Sequence, residues 1–281
     1  NSMEASSIRD KSGFICDMDG VIYHGNALLP GAASFVNWLR TSGKRYLFLT
    51  NSSERSPREL SERLRRMGLE VGEDHFYTSA MATASFLASQ CPGGSCYVIG
   101  EPGLTNALYE AGFTLNDVSP DYVVIGETSS YTYDRITHAI GLVIRGARLI
   151  GTNPDVTGPV ENGIVPATGA LMAPIELASG RSAYYPGKPN PVMMRNALKK
   201  LGCRREETAI IGDRMDTDIV AGTEAGITTV LVLSGVTDRD EIERFAYRPH
   251  QVFDSVGDIV SGLAEGDRKS TRLNSSHYRT S

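Results

Sequence analysis

GFICDMDG, residues 13–20, is the stretch that decides how the rest of the chain is interpreted. Its first part is a short apolar run, typical of a parallel strand that is covered on both faces and therefore lacks polar alternation. Two carboxylates, Asp17 and Asp19, follow at the end of this strand, and Gly20 marks a turn. Ligands of open parallel sheets bind beyond the carboxyl ends of the strands, so we expect chemistry at Asp17 and Asp19.

The segments around this stretch alternate between strand and helix patterns. Strands are predicted at 13–18, 45–50, 183–186, 208–212 and 228–233. Helices are predicted at 31–42, 56–67, 190–201 and 216–225, and several of them end at glycine. This alternation predicts an α/β fold with a doubly wound parallel sheet.

The middle of the chain carries a second alternating set. Its predicted strands are 96–100, 121–125 and 147–151, and its predicted helices are 79–89, 103–111, 131–145 and 168–180. So much chain between two halves of one sheet predicts an inserted α/β domain. We therefore predict a discontinuous core of residues 11–78 and 183–265 and a cap of residues 79–182. The polar ends, 1–10 and 266–281, are expected to be foreign to the fold or disordered.

Polar side chains follow four of the predicted strands and should meet at one crevice. In chain order they are Asp17, Asp19, Thr50, Asn51, Ser52, Lys188, Asp213, Arg214, Asp216 and Asp218. Clustered carboxylates repel one another and a phosphate dianion, and a hard divalent cation removes both problems. An oxygen donor set without histidine or cysteine favours Mg²⁺ over zinc.

Phosphate ester chemistry gives a role to most of this set. Hydrolysis of a phosphate monoester needs up to ~10²¹-fold acceleration, so a metal, electrostatic stabilisation and a covalent step are all expected. Asp17 is the expected nucleophile, and Asp19 the expected acid for the leaving oxygen and base for the attacking water. Asp17, Asp213 and the backbone carbonyl of Asp19 would bind Mg²⁺. Lys188 and the Thr50 hydroxyl would hold the remaining phosphoryl oxygens.

For some residues two interpretations stay open. Asp218 either orders a metal-bound water or caps local structure, and Arg214 either reaches the substrate or lies on the surface. Asn51 and Ser52 are expected to belong to the phosphate-binding group, and Asp216 to be a solvated acid at a helix start.

A loop of the predicted cap also has two interpretations. Asn153 and Asp155 either face the site or form an Asx-turn around Pro154. The sequence alone favours neither.

The motifs occur in the order seen in the haloacid dehalogenase superfamily: Asp17-x-Asp19-Gly20-Val21, Thr50-Asn51, Gly187-Lys188-Pro189 and Gly212-Asp213-x4-Asp218. The segments FYTSAMATASFL (76–87), GET (126–128) and TNPD (152–155) resemble its NagD-like branch, which has a C2-type cap. The resemblance spans about residues 13–264. It implies a Rossmann-like core with an α/β cap inserted between the second and third motifs. It also implies hydrolysis of small phosphate esters, including nucleoside monophosphates and 4-nitrophenyl phosphate, through an aspartyl-phosphate.

Alternative functions are weighed against the same residues. A phosphatase of the same family acting on sugar, glycerol or pyridoxal phosphate stays open. A carbon–halogen hydrolase is disfavoured by Asp19, because a halide needs no proton on leaving. A non-catalytic phosphometabolite-binding protein is disfavoured because a binder need not keep both Asp17 and Asp19. Neither G-x-x-x-x-G-K-[ST] nor a well-placed G-x-G-x-x-G is present, which disfavours a kinase or a dehydrogenase.

Composition limits the partners. The formal net charge of -5 argues against a nucleic acid polymer, and no apolar run approaches the ~20 residues of a membrane span. The four cysteines form no C-x-x-C pair, and no signal peptide is visible, so we expect a cytoplasmic protein with free thiols. The expected partner is a small phosphorylated metabolite, and the choice between a monomer and a homodimer stays open.

Overall fold

The computed structural model describes residues 7–261 and shows strands and helices in alternation. The strands are β1 (Gly13–Asp17), β2 (Tyr23–His24), β3 (Ala27–Leu28), β4 (Arg45–Thr50), β5 (Phe76–Thr78), β6 (Ser95–Ile99), β7 (Thr114–Leu115), β8 (Tyr122–Ile125), β9 (Arg148–Gly151), β10 (Thr157–Val160), β11 (Gly163–Pro166), β12 (Thr208–Gly212), β13 (Thr228–Val232) and β14 (Gln251–Phe253). The α-helices are α1 (Ala32–Thr41), α2 (Pro57–Arg66), α3 (Ser79–Gln90), α4 (Pro102–Glu110), α5 (Tyr133–Ile144), α6 (Thr168–Ser179), α7 (Pro191–Leu201) and α8 (Val220–Ala225). Short 3₁₀-helices and the π-helix Met215–Ile219 connect some of them.

The chain falls into two compact units. Among the described residues, the terminal unit contains 7–48 and 197–261, and the central unit is Leu49–Asn196. The dividing points lie within β4 and α7, and the central unit therefore contains α2 and β5 as well as the predicted cap. The division into a core of 11–78 and 183–265 and a cap of 79–182 stays a prediction.

The terminal unit is built on a sheet with the strand order β14-β13-β12-β1-β4. The pairs β1–β12, β12–β13 and β13–β14 are parallel. Phe14, Ile15 and Cys16 of β1 are fully buried, as the unbroken apolar run predicts for a strand covered on both faces. The predicted doubly wound α/β core is confirmed.

Helix α1 shows how this core is packed. Phe35, Trp38 and Leu39 form its buried face, and the ring of Phe14 on β1 meets Trp38 edge to face at 5.4 Å. Such aromatic pairs contribute beyond the apolar area that they bury.

The central unit contains a second parallel sheet with the order β7-β6-β8-β9. One apolar cluster joins α3 and α4 to one face of this sheet, through residues such as Leu87 and Leu104. Another joins α5 and α6 to the sheet, through residues such as Leu142 and Ile175. The antiparallel hairpin β10–β11, which follows β9, was not predicted from the sequence.

Two local predictions are wrong. No strand forms at 183–186, where only Tyr184 makes an isolated bridge to Ile150, and Pro186 has no N–H with which to extend a ladder. The amino-terminal segment is not outside the fold from residue 7 onwards, because Ile8 is 1% exposed and Arg9 Nη1 donates to the carbonyl of Ile259 at 3.1 Å. The rest of that segment, 1–6, and the predicted tail, 266–281, lie outside the described residues.

A membrane span is the last structural feature to consider. No helix within residues 7–261 combines the length and the apolar character needed to cross a bilayer.

Candidate active site

Three aspartates of the terminal unit form what we call the carboxylate cluster: Asp17, Asp213 and Asp218. Each offers a carboxylate oxygen, and these atoms all lie within 4.8 Å of one another. Strands β1 and β12 are parallel neighbours, with Cys16 opposite Ile211, so their carboxyl ends bring Asp17 and Asp213 together. Asp213 and Asp218 are 2% and 0% exposed. Like charges this close repel one another strongly away from water, so the cluster favours a bound cation.

The backbone around Asp213 is shaped to fit its carboxylate. Oδ2 of Asp213 accepts a hydrogen bond from Val236 N at 3.0 Å, and the Thr237 hydroxyl donates to the Asp213 carbonyl at 2.6 Å. Gly20 has a φ of 81°, and a Cβ at this position would lie 2.3 Å from Asp213 Oδ2. A Cβ at Gly235 would lie 2.2 Å from the same oxygen. The glycine of the Asp-x-Asp-Gly motif therefore leaves space for the aspartate of another motif.

Asp218 has a structural role in the same loop. Its Oδ2 accepts from the backbone N–H groups of Asp213 and Arg214, each at 3.2 Å. The capping interpretation is therefore observed, and the carboxylate is in the cluster as well. Asp218 lies in the π-helix Met215–Ile219, a conformation that occurs frequently at functional sites. A role in ordering a metal-bound water stays a prediction.

Asp19 differs from the cluster in its surroundings. Its side chain is 35% exposed, and its Oδ1 lies 3.8 Å from Nδ1 of His24, to which the sequence assigned no role. The loop that carries Asp19 is held by hydrogen bonds from Gly20 N to the Tyr23 carbonyl at 2.8 Å and from the Ser234 hydroxyl to the Gly20 carbonyl at 2.8 Å. A carboxylate that reaches solvent from a fixed loop suits proton exchange with a ligand.

Arg214 and Asp216 pair with each other near the surface. Nε and Nη2 of Arg214 donate to the two carboxylate oxygens of Asp216 at 3.2 and 3.1 Å. The half-exposed Asp216 agrees with the prediction of a solvated acid. Substrate contact by Arg214 stays a prediction.

Neighbouring thiol chemistry is disfavoured. Burial, followed by the adjacent charge of Asp17, raises the pKa of the Cys16 thiol far above its ordinary range. Cys16 is therefore a buried apolar side chain in β1, and the nucleophile expected at this strand end is the carboxylate beside it.

In the central unit, Asn51 holds the backbone of Lys188. The Asn51 side chain accepts from Lys188 N at 2.8 Å and donates to the Lys188 carbonyl at 3.0 Å, like a rung of a β-ladder. Lys188 is 2% exposed. Next to Asn51, the Thr50 hydroxyl accepts from Ser52 N at 3.1 Å, which closes a tight turn after β4. The structure thus joins the second and third sequence motifs through Asn51, whereas direct phosphate binding by Asn51 and Ser52 stays a prediction.

The loop with Asn153 and Asp155 forms the Asx-turn. Asn153 Oδ1 accepts from Asp155 N at 3.2 Å. The same side chain also donates to the Asn51 carbonyl at 2.6 Å and to Glu127 Oε2 at 3.0 Å. Asp155 in turn accepts from Asn51 Nδ2 at 2.9 Å. The turn therefore also ties this loop to the residues that follow β4.

Glu127 completes this set and was missed by the sequence interpretation. Its Oε1 accepts from the backbone N–H of Ser53 at 3.2 Å and from the Ser53 hydroxyl at 2.5 Å. We call the connected residues the amide network: Asn51, Ser53, Glu127, Asn153 and Lys188. The GET segment was noted only as a family resemblance, since nothing in it showed that Glu127 would be buried.

The donors of the carboxylate cluster decide which metal suits it. All three are carboxylate oxygens, and within residues 7–261 neither histidine nor cysteine belongs to the cluster. Hard cations such as Mg²⁺ prefer oxygen ligands, whereas zinc prefers nitrogen and sulfur. The residues present therefore fit Mg²⁺.

Comparisons with known proteins find haloacid dehalogenase-like hydrolases and phosphatases. Residues 14–114 match the family described as haloacid dehalogenase-like hydrolase, and residues 185–259 match the one described as HAD-hydrolase-like. The chain is 50% identical over 247 residues to dihydroxyacetone phosphatase of Corynebacterium glutamicum strain R, covering 88% of this chain and 90% of that one. It is 47% identical over 245 residues to ribonucleotide monophosphatase NagD of Escherichia coli K12, covering 87% and 96%.

Two solved structures of relatives are similar to this chain. NagD from Escherichia coli K-12 superposes with a TM-score of 0.84 at 46% identity, covering 88% of this chain and 98% of that one. The p-nitrophenyl phosphatase from Archaeoglobus fulgidus superposes with a TM-score of 0.83 at 40% identity, covering 90% and 99%.

Proposed function

Because the chain belongs to the haloacid dehalogenase-like hydrolases and is a NagD-like phosphoric monoester hydrolase, we propose that it acts on nucleoside monophosphates and on 4-nitrophenyl phosphate. The observation that carries the proposal is the carboxylate cluster, which lies at the ends of two adjacent parallel strands. The relatives named for a ribonucleotide and for p-nitrophenyl phosphate support the choice of substrates.

Asp17 is the nucleophile of the proposed reaction. Its carboxylate oxygen attacks phosphorus and forms an aspartyl-phosphate, while the bond from phosphorus to the ester oxygen breaks. Asp19 gives its proton to that departing oxygen, so the product leaves as a neutral alcohol. Asp19 then takes a proton from water, which attacks phosphorus, releases inorganic phosphate and regenerates Asp17. The partial exposure of Asp19 supports this exchange of protons.

Lys188 and Thr50 bind the phosphoryl oxygens in this proposal. An ammonium group and a hydroxyl are suitable donors to a phosphate dianion. Support comes from the way Asn51 fixes the Lys188 backbone, since a positioned donor costs less reorganisation during reaction. Asn51, Ser52 and Arg214 are assigned to the same group of phosphate-binding residues with less direct support.

Mg²⁺ is the proposed cofactor. Asp17, Asp213 and the backbone carbonyl of Asp19 would hold it, with Asp218 ordering its water. When bound, the ion offsets the charge of the carboxylates and of the phosphate dianion and polarises a phosphoryl oxygen. The donor set of the cluster supports this assignment.

Dihydroxyacetone phosphate is the second candidate substrate. The specific observation in its favour is the 50% identity to a dihydroxyacetone phosphatase. Sugar and glycerol phosphates belong to the same chemical class and would use the same phosphoryl-binding groups.

The compartment and the partners proposed for the enzyme follow from its thiols and its net charge. Cys16, Cys91, Cys96 and Cys203 are all free, which supports a reducing compartment such as the cytoplasm. The formal net charge of -5 supports the proposal that no nucleic acid polymer is a partner, and the proposed partner is a small phosphorylated metabolite. A homodimer remains an option for the assembly.

A panel of phosphate esters tests the function. We expect steady release of phosphate from 4-nitrophenyl phosphate, from at least one nucleoside monophosphate and from dihydroxyacetone phosphate in the presence of Mg²⁺, and none from a folded phosphoprotein. Asp17→Asn should lower turnover by at least about 10³-fold with an unchanged circular dichroism spectrum, because an amide is a far weaker nucleophile.

The matched control is Asp240→Asn, which makes the same change at an exposed position of the terminal unit and should keep wild-type turnover. Turnover above a tenth of the wild-type rate in folded Asp17→Asn would exclude the covalent role.

A further inference from the structure

We infer that Glu127 is a positioning residue for the phosphate-binding residues Thr50 and Lys188, acting through the amide network. The inference rests on the proposed function, which places Thr50 and Lys188 on the phosphoryl group. It assigns a role in substrate binding to a carboxylate that lies in the predicted cap and that no sequence motif singled out as functional.

The first step is the environment of Glu127 itself. It is buried and accepts three hydrogen bonds, two from Ser53 through Oε1 and one from Asn153 through Oε2. Ser53 follows β4 and Asn153 follows β9, whereas Glu127 follows β8. One carboxylate therefore connects loops that follow three different strands.

The second step runs from Asn153 to the loop after β4. The amide that donates to Glu127 also donates to the Asn51 carbonyl at 2.6 Å, and the Ser79 hydroxyl donates to that carbonyl at 2.6 Å as well. With Ser53 bound to Glu127, the segment from Asn51 to Ser53 is held at both ends. Thr50, whose hydroxyl is bonded to Ser52 N, directly precedes this segment.

The third step runs from Asn51 to Lys188. The two hydrogen bonds between the Asn51 side chain and the Lys188 backbone fix the position of the lysine backbone relative to the loop. A Cβ at Gly187 would lie 2.7 Å from Asn51 Oδ1, so the backbone before Lys188 is packed directly against the same amide. A small displacement of Glu127 should therefore displace both Thr50 and Lys188, the proposed phosphoryl-binding residues.

The donor and acceptor pattern makes Glu127 hard to replace, even by its isostere. Three donors face the carboxylate, and a carboxylate can accept from all three. Glutamine has one acceptor oxygen, and either orientation of its amide turns an NH₂ group toward Ser53 N or toward the Asn153 amide. A buried donor that faces another donor is unpaired, and the loop must move to relieve it.

Glu127→Gln tests the inference with almost no change in side-chain volume. We expect KM for 4-nitrophenyl phosphate and the dissociation constant of inorganic phosphate, measured by calorimetry with Mg²⁺, to rise together by about 10-fold. The turnover number should change much less, because interactions made in both ground and transition states affect KM. The Mg²⁺ concentration for half-maximal activity should stay unchanged, because Glu127 contributes no carboxylate to the cluster.

Two further variants sharpen the test. Glu101→Gln is the matched control, since Glu101 accepts from the Thr128 hydroxyl at 2.7 Å rather than from the amide network, and its KM should equal that of the wild type. Ser53→Ala removes one bond to Glu127 and keeps the bond from Asn153, so its KM should lie between the wild type and Glu127→Gln.

The outcomes separate this inference from the proposed function. A purely structural role would reduce the folded fraction, lowering the apparent turnover number while KM and the phosphate dissociation constant stay at wild-type values, and that result overturns the inference. A wild-type protein that releases no phosphate overturns the proposed function, and phosphate binding by wild type and Glu127→Gln still decides the role of Glu127.

Discussion

The carboxylate cluster and the amide network are both buried and polar, yet different groups offset their polarity. The cluster brings together three groups of the same charge, whereas in the network the Glu127 carboxylate faces three donors and the Asn51 amide pairs with the Lys188 backbone. The like charges of the cluster favour a bound metal cation, while the network consists of matched donors and acceptors. The cluster should therefore act mainly through metal binding, and the network should contribute to stability as well as to function.

The carboxylate cluster and the amide network should respond differently when one polar group is removed. Removing a charge from the cluster lessens the repulsion among its carboxylates and should abolish the stabilisation that a bound metal ion gives. Removing an amide from the network removes hydrogen bonds to buried backbone groups, so stability should fall even without metal. Variants that separate these two responses test the comparison directly.

The largest expected effect is that of Asp213→Asn. Asparagine can still accept the hydrogen bond from Val236 N, so the backbone around it should be kept. We expect phosphate release to fall by at least about 100-fold, because a metal ligand has lost its charge.

Mg²⁺ itself provides the control for this prediction. Chelation should stop wild-type turnover, and Mg²⁺ should restore it. At 100 times its dissociation constant, Mg²⁺ should raise the wild-type free energy of unfolding by about 2.7 kcal/mol, because it binds only the folded protein. Asp213→Asn should lose this gain. Full wild-type activity after exhaustive chelation, or an undiminished stabilisation of the variant by Mg²⁺, would contradict the assignment.

The next effect is that of Asn51→Ala in the amide network. The change removes both hydrogen bonds between the Asn51 side chain and the Lys188 backbone. We expect the free energy of unfolding to fall by about 2 kcal/mol and KM to rise with it. Urea denaturation followed by circular dichroism measures the first quantity. Asn37→Ala, at an exposed position of α1, is the control and should stay within about 0.5 kcal/mol of the wild type.

If Asn51→Ala and Asp213→Asn gave the same pattern, with activity lost and stability kept, the distinction between the two regions would be wrong. The loss of stability in Asn51→Ala is therefore the more informative of its two readouts.

The same contrast explains what the sequence could predict. Asp17 and Asp213 were expected together because each ends a recognisable strand, and parallel strands align their carboxyl ends. The partner of Asn51 lies 137 residues away, and no local pattern encodes a side-chain bond of that separation. The Asx-turn at Asn153 is local and was among the expectations, whereas the additional bonds of Asn153 were not.

Two features of the fold were not predicted, and the local sequence explains why. Ile8 is a single apolar residue among polar neighbours, so periodicity could not identify it as part of the core. The hairpin β10–β11 did have a signal in Asn162-Gly163, a dipeptide common in tight β-turns, at the point where β11 begins. Weighting turn residues more heavily would have predicted it.

Glu54 lies close enough to Glu127 of the amide network for their charges to interact, and its replacement gives the smallest expected effect. Burial first, then the charge of Glu127, raises the pKa of Glu54 above its ordinary value of 4.5. Glu101 raises this pKa further, while Arg55 and Arg63 lower it. As in the cluster, the carboxylates repel each other, and Glu127 also accepts three hydrogen bonds.

A raised pKa has a definite sign in the pH dependence of stability. Between the ordinary and the raised pKa the folded protein binds more protons than the unfolded chain, so stability falls as pH rises through this window and stays lower above it. Glu54→Gln removes the charge, so its melting temperature should gain on the wild type as pH rises above the ordinary pKa of 4.5 and should keep that gain at higher pH. The gain should be less than about 2 °C, because solvent screens a partly exposed carboxylate. A difference between the two proteins that does not change with pH would show that the charge of Glu54 is not unfavourable in the folded protein.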